Sequence, residues 1–405
     1  MYRRRRGLII TTMSATDQRM PVFDFYELTT DPDPYPRYEE WRAAGPLIKG
    51  GARQWGVTRH AEVAALLKDR RLTHSMPREY TDFMMGPGPS SEFRQNSLLM
   101  QDGPGHHRLR HLMAQAFTPQ LVRNLQERIE TLVDEMIEPL LAGEPYNLAE
   151  ELAFPLPTAV ICELMGIVSA DRHQVREHSA KLLGADLEGS DSAVQWMRQY
   201  MDGVLATRRA DPDGDLLERM LAAGEGSDGF THQEVVDNAV LLFFAGFETT
   251  RHLISSGTVA LGRAPEQWGR LRSHPDVPAL AVEEFLRFDG PVRAISAMTT
   301  EPVEVGDRTI KAGDVLIMLL GCANRDPSAF NRPERLDVGR SPNPHVAFGG
   351  GSHRCLGMHL ARMEGQVVFR RLSERLRSLE LETEPVISSS AFTSYSQVWV
   401  KGTPA

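Results

Sequence analysis

The sequence predicts a mostly-α, α+β protein, with helices through the bulk of the chain and small sheets toward its N-terminal side and its C-terminus. Three observations predict it. Helical spacing of apolar residues dominates from Ala61 to about Arg375. Strand-like alternation is confined to short pieces at 46–58, in VEVGDRTIKAGDVLIMLL and in SYSQVWVKG. A glycine run carrying one cysteine, FGGGSHRCLG from Phe348 to Gly357, stops short of a helix-like stretch with no internal proline.

The chain opens MYRRRRGLIITTM, four arginines before an apolar stretch, Leu8 to Ile10. That stretch is far too short for a signal peptide or a membrane span. A leader over 1–20 and one catalytic domain over 21–405 are expected. GGARQWGVT reads as two short strands about a glycine turn. LVRNLQERIETLVDEMIEPLL, AVQWMRQYMDGVLATRRA and QEVVDNAVLLFFAGFETTRHLI carry helical spacing. The last holds the most apolar run, which Glu248 and Arg251 interrupt before it is long enough to cross a membrane. Gly306 and Gly313 mark turns in the following strands, and SYSQVWVKG alternates like an edge strand.

The chain has 405 residues, 41% hydrophobic and 24% charged, with net charge −9. That balance argues against general nucleic-acid binding. Cys162, Cys322 and Cys355 are sparse and far apart, which gives no disulfide framework and suits a reducing cytoplasm. GEGSDG (224–229) spells a dinucleotide fingerprint but follows a helix rather than a strand, so it reads as a helix-terminating loop.

Cys355 sits near a predicted helix N-terminus, where unpaired N–H groups and the helix dipole favour negative charge. A thiol there ionises more readily, and a thiolate is a metal ligand. Gly349, Gly350 and Gly351 let backbone approach a flat partner without Cβ clashes. The loop resembles the haem-binding loop of the cytochrome P-450 monooxygenases, with Phe348, Gly349, Gly351, His353, Cys355 and Gly357 at the signature positions. The resemblance runs from about Phe23 onward. It implies the triangular P-450 prism, mostly helical with small β-sheets, around one haem b with Cys355 as axial thiolate. Cys355, His359 and Met363 also have residue types of a blue-copper site, but their helical spacing suits such a site poorly.

AGFETT, Ala245 to Thr250, lies inside the most apolar helix. Gly246 there costs about 1 kcal/mol relative to alanine, which a kink or the close approach of a flat ligand would offset. Thr249 is placed to bond back to the Ala245 carbonyl. The segment resembles the family's oxygen-activating segment, which implies that Glu248 and Thr249 relay protons during dioxygen activation. Leu241, Phe244 and Ala245 share a face with this pair by three- and four-residue spacing. Ala245 is expected against the haem, and Leu241, Phe244 and Ile295 at the substrate.

Glu284 and Arg287, in EEFLRF, match the family's Glu-x-x-Arg pair, with Arg335 in RPERLD expected as its third member. Their implied role is structural, since breaking a buried pair strands a charge. DGPGHHRLRHL resembles the helix crossing the haem edge. His106 and Arg110 match propionate-binding positions, and His353 matches a further one. The chain departs from the family in PVRAISAMTTEPVEVG, where many relatives place a propionate-binding arginine at about Ala297. Arg293 lies four residues earlier. A propionate, an acidic substrate group and the surface stand open as its partners, with the substrate role preferred.

The expected activity is hydroxylation of a small organic molecule, a secondary-metabolite intermediate, with aryl coupling or epoxidation as the alternative on the same fold. No reductase module is visible. Electrons are expected from a separate ferredoxin and its reductase, steered by a basic patch of Arg108, Arg110, Arg354 and Arg362. A cytoplasmic monomer is expected.

Overall fold

The computed structural model describes residues 21–24, 31–51, 53–168, 171–182, 187–210, 215–223, 229–388 and 394–405. The expected leader at 1–20 and most of GEGSDG lie outside them. The helices that position the site are α1 (Gly103–Ala116), α2 (Gln126–Leu141), α3 (Pro155–Leu164), α4 (Leu187–Ala210), α5 (His232–Gly262), α6 (Val277–Phe288) and α7 (Met358–Arg375).

α5 is the 31-residue axis of the molecule. Its start is fixed by a capping box: the Glu234 N–H donates to Thr231 Oγ1 at 3.2 Å, and the Thr231 N–H donates to Glu234 Oε2 at 2.8 Å. Together these satisfy two of the N–H groups that a helix start leaves unpaired. The rest of α5 is sequestered by packing, because it is apolar nearly all round. Val240, Phe243, Phe247, Leu253 and Ile254 join residues of α2, α3, α4, α6 and α7 in one large core.

Gly246 has a packing explanation. A Cβ there would stand 3.1 Å from Ile161 Cδ1, so the missing side chain lets α3 lie against α5. This contact supplies an offset that the kink or flat ligand expected from the sequence did not include.

The strands are β1 (Leu47–Lys49), β2 (Gln54–Val57), β3 (Leu72–Thr73), β4 (Tyr146–Asn147), β5 (Ile295–Thr299), β6 (Val303–Val305), β7 (Arg308–Ile310), β8 (Val315–Met318), β9 (Leu376–Leu381), β10 (Val386–Ser388), β11 (Ser394–Gln397) and β12 (Trp399–Pro404). They form a five-stranded sheet ordered β1-β2-β8-β5-β3, a three-stranded sheet β4-β12-β9, and the hairpins β6-β7 and β10-β11. Gly306 and Gly313 fall in turns between strands, as expected. SYSQVWVKG differs: its second half, β12, is the middle strand of its sheet, paired with β9 and β4. The alternation reported burial on one face and carried no information about hydrogen-bonding neighbours.

Candidate active site

The loop before α7 is built by backbone geometry. Gly349 and Gly351 have φ of 65° and 60°. A Cβ on Gly351 would come within 2.7 Å of the Leu67 carbonyl oxygen, so only glycine fits. The Cys355 N–H donates to the Phe348 carbonyl at 2.9 Å and closes the loop. α7 starts three residues later, at Met358. Cys355 is reachable by solvent although its loop packs on the main core through Phe348 and Leu356. Burial pushes its thiol pKa up, while the Gly357 N–H and the Arg110, Arg362 and Arg354 charges pull it down. His359 and Met363 lie on α7 proper and Cys355 does not. The single helical face expected for these three residues is therefore not formed.

α5 presents a second opening. Ala245 is exposed and Leu241 and Thr249 are half-buried in a helix whose neighbouring positions are sequestered. Positions 241, 245 and 249 are four apart and form one stripe. Thr249 Oγ1 donates to the Ala245 carbonyl at 2.8 Å, as its spacing predicts. Phe244 and Glu248, expected on that same face, are both buried. They belong to the adjoining stripe, which continues to Arg251. Glu248 Oε1 lies 3.6 Å from Arg251 Nη1, and Glu248 Oε2 has no hydrogen-bond partner among the described residues. Burial raises the Glu248 pKa, against the lowering pull of Arg251. Arg251 itself lies over the Phe154 ring and donates to the Tyr395 carbonyl at 3.3 Å. Its i,i+3 spacing from Glu248 was a readable signal that the motif drew attention away from.

His106 and His353 come together from α1 and the cysteine loop, their rings stacked with centroids 4.1 Å apart. Both ring nitrogens of His106 are buried without a partner among the described residues. Burial first, then His353, holds its pKa down at about 4. His353 Nε2 pairs with Asp102 Oδ1 at 2.8 Å. Arg110 donates to the Arg354 carbonyl, beside Cys355. His74, which sequence reasoning passed over, stands on the other side of His353 with ring centroids 4.1 Å apart. Ile295, on β5, borders the loop: a Cβ on Gly349 would lie 3.5 Å from its Cδ1.

The residues present fit a haem. A solvent-reachable thiol at a helix start, a small-residue stripe open on α5, and buried imidazole nitrogens with no partner are what a flat, iron-bearing dianion would complete.

Three expectations need correction. Arg335 is not the third member of the Glu284 group: its side chain is 69% exposed beside Glu334. Arg340 takes that place, with Nε 2.9 Å from Glu284 Oε2. Glu284 also accepts two bonds of 2.7 Å from Arg287, one from the Asp337 N–H and one from Asn343. Arg335 contributes its backbone carbonyl, to Arg287 and Arg340. Arg293 is buried, and its Nη1 donates to the Asp31 carbonyl at 2.6 Å. Burial alone would raise the neighbouring Asp289, but His252, Arg293, Tyr35 and Arg325 outweigh it and hold it low. An anion near Arg293 is thus a residue of the chain, and the burial of its side chain overturns the surface reading. Arg108 leaves the basic patch, because it pairs with Glu234 on α5 and donates to the Gly229 carbonyl at 2.7 Å.

Among the described residues no helix is long and apolar enough to cross a membrane.

Comparison with known proteins identifies the family. Residues 279–394 match the family model for cytochrome P450. The chain is 36% identical to the biotin biosynthesis cytochrome P450 of Bacillus subtilis over 86% of its length and 90% of that protein. It is 36% identical to the mycinamicin VIII C21 methyl hydroxylase of Micromonospora griseorubida, over 86% and 90%. The crystal structure of P450BioI in complex with hexadec-9Z-enoic acid ligated acyl carrier protein superposes with a TM-score of 0.85 at 32% identity, covering 91% of this chain and 98% of that one. With identity above 30% over most of both chains, the chain belongs to the cytochrome P450 family, as a monooxygenase of the bacterial type.

Proposed function

We propose that Cys355 is the axial thiolate of a haem b, and that the enzyme hydroxylates a small organic molecule of secondary metabolism. Cys355 carries the reading, as a solvent-reachable thiol just before the start of α7, in a loop that glycines shape. His106, Arg110 and His353 hold the propionates by charge-assisted bonds. Phe348, Gly349 and Ala245 would border the haem. Leu241, Phe244 and Ile295 border the substrate.

The haem supplies the iron at which dioxygen is reduced and one oxygen atom passes to the substrate. The chain's own part is proton delivery. Thr249 offers a hydroxyl on the open stripe, parked on the Ala245 carbonyl until a better acceptor arrives. Glu248 has one oxygen near Arg251 and one unpartnered. Its raised pKa favours holding a proton, and swinging away from Arg251 favours it further. Rotation between Arg251 and Thr249 carries protons inward without opening the cleft to bulk water.

Electrons come from a separate acidic ferredoxin. The face it would use has a groove of about 410 Å³ between α2, α6 and α7, lined by Arg123, His359, Arg362 and Arg370, where Arg362 is paired with Glu283 and Arg370 with Glu130. The remaining cations there, Arg123 first, steer an acidic partner despite the net charge of −9.

The test is spectral. Reduced protein under carbon monoxide should give the red-shifted band of thiolate-ligated haem. A library of free acids, macrolides and carrier-bound acyl thioesters should then be screened for a substrate-induced shift of the ferric spectrum. Absence of the thiolate band in reconstituted protein sinks the proposal.

A further inference from the structure

We infer that His74 is a propionate-binding residue, supplied from the β3 side of the sheet where Ala297 on β5 cannot reach. The inference rests on the haem reading above.

β3 pairs antiparallel with β5, Leu72 opposite Thr299 and Thr73 opposite Met298. One step further in that register, His74 stands across from Ala297. Residues opposed in an antiparallel pair send their side chains to the same face, about 5 Å apart at Cβ. A ring at position 74 therefore serves the space that a long side chain at position 297 would serve.

The placement of His74 is fixed from two directions. Its Nδ1 lies 3.1 Å from the Ser296 carbonyl oxygen. A carbonyl only accepts, so Nδ1 carries a proton and Nε2 is left for another partner. Asp102, just before α1, clamps the backbone around it. Its Oδ2 accepts from the Thr73 hydroxyl at 2.8 Å, from the Ser75 N–H at 3.0 Å and from the His74 N–H. Burial alone would raise Asp102, but the bonds from His353, Thr73, Ser75 and His74 hold it well below the usual carboxylate range. It is a firm anion with its oxygens already committed.

The rings of His74, His353 and His106 stand in a row with 4.1 Å steps, drawn from a strand end, the cysteine loop and α1. Arg110 adds a guanidinium one turn beyond His106. Among the described residues, one carboxylate stands against three imidazoles and that guanidinium, and both nitrogens of His106 are buried without a partner. Such a set of donors calls for a further anion. A haem carries two carboxylates, and no second protein carboxylate pairs with these rings among the described residues. To donate from Nε2 as well as Nδ1, His74 must be an imidazolium. Burial and His353 disfavour that form in the bare protein, holding its pKa at about 4, and an incoming carboxylate favours it.

The experiment begins with the parent holoenzyme, whose thiolate-type carbon monoxide spectrum establishes the haem separately. His74→Phe keeps a ring against His353 and removes both nitrogens. Haem transfer from it to excess apomyoglobin should run about tenfold faster than from the parent. Its ferric–ferrous midpoint potential should become more negative, since a positive charge beside the haem is lost. Adding Ala297→Arg to His74→Phe should bring both readings back toward the parent, because the arginine reaches the same carboxylate from the opposed strand. Parent-like haem transfer and potential in His74→Phe overturn the inference. So does a defect that Ala297→Arg fails to restore, or a lowered melting temperature of the haem-free variant with haem transfer unchanged. Either result leaves His74 as a tie to Ser296 alone.

Discussion

The Glu284 hub and the buried Glu248 stripe of α5 both place charge in apolar surroundings, and they treat it in opposite ways. Glu284 is fully buried and accepts from Arg287, Arg340, Asn343 and the Asp337 N–H, so its oxygens are saturated. Arg287 is equally closed, donating onward to the carbonyls of Asn324 and Pro333. Around the cleft, Glu248 Oε2 and both nitrogens of His106 are buried without partners among the described residues. A saturated network holds one geometry, whereas an unsaturated one is stable only with something else present or with a proton to carry. The first region reads as scaffold and the second as site.

The largest expected effect breaks the site and spares the scaffold. Cys355→Ser should abolish the thiolate-type carbon monoxide spectrum, while circular dichroism shows helices retained. A persisting spectrum would transfer the ligand role elsewhere. Next, Glu248→Gln should slow turnover about a hundredfold, with an altered solvent isotope effect. Thr249→Ala should leave substrate binding nearly intact and divert reducing equivalents to peroxide, read as peroxide formed per NAD(P)H consumed. Parent rates and coupling in both variants would remove the proton-delivery role.

The same Glu→Gln chemistry sharpens the comparison when stability is measured. Glu284→Gln breaks a buried pair and should cost about 3–5 kcal/mol in urea unfolding. Glu248→Gln, which removes a poorly partnered buried carboxylate, should cost less than about 1 kcal/mol. Equal losses would erase the distinction.

Glu364 on α7 extends it to pH. Burial, with no cation opposing it, raises its pKa well above the usual value. A carboxyl raised on folding binds its proton more tightly in the native state. It therefore costs nothing below the unfolded pKa, and its cost grows as pH rises above that range. Melting temperatures of Glu364→Gln and the parent should agree near pH 4 and diverge toward pH 8 in favour of the variant. A constant difference across that range would contradict the assignment.

The smallest effect separates neighbours: Arg335→Ala should change stability by less than about 0.5 kcal/mol, in contrast to Arg340→Ala.

That last pair also shows where sequence reading stops. The cysteine loop, the helix carrying Thr249 and the Glu-x-x-Arg pair were legible because each is a local pattern with fixed spacing. Arg335 and Arg340 lie five residues apart in one irregular loop, and only its path decides which guanidinium reaches Glu284. Arg332 turns that path with a φ of 48° that no motif announces. His74 was illegible for a related reason. It follows a two-residue strand whose partner lies more than 200 positions away, and pairing at that range leaves no local trace. The Gly246 contact needed the position of α3, which composition does not supply.

Arg108 gives α1 a second function. His106 and Arg110 lie one turn apart on one edge of this helix, while Arg108 points from the opposite edge to Glu234, inside the capping box that starts α5. Through Arg108, the edge of α1 that carries His106 and Arg110 is tied to the first turn of α5. Haem-free protein should therefore exchange amides near Thr231 to Asn238 before those near Thr249, a sequence of release that hydrogen exchange can time.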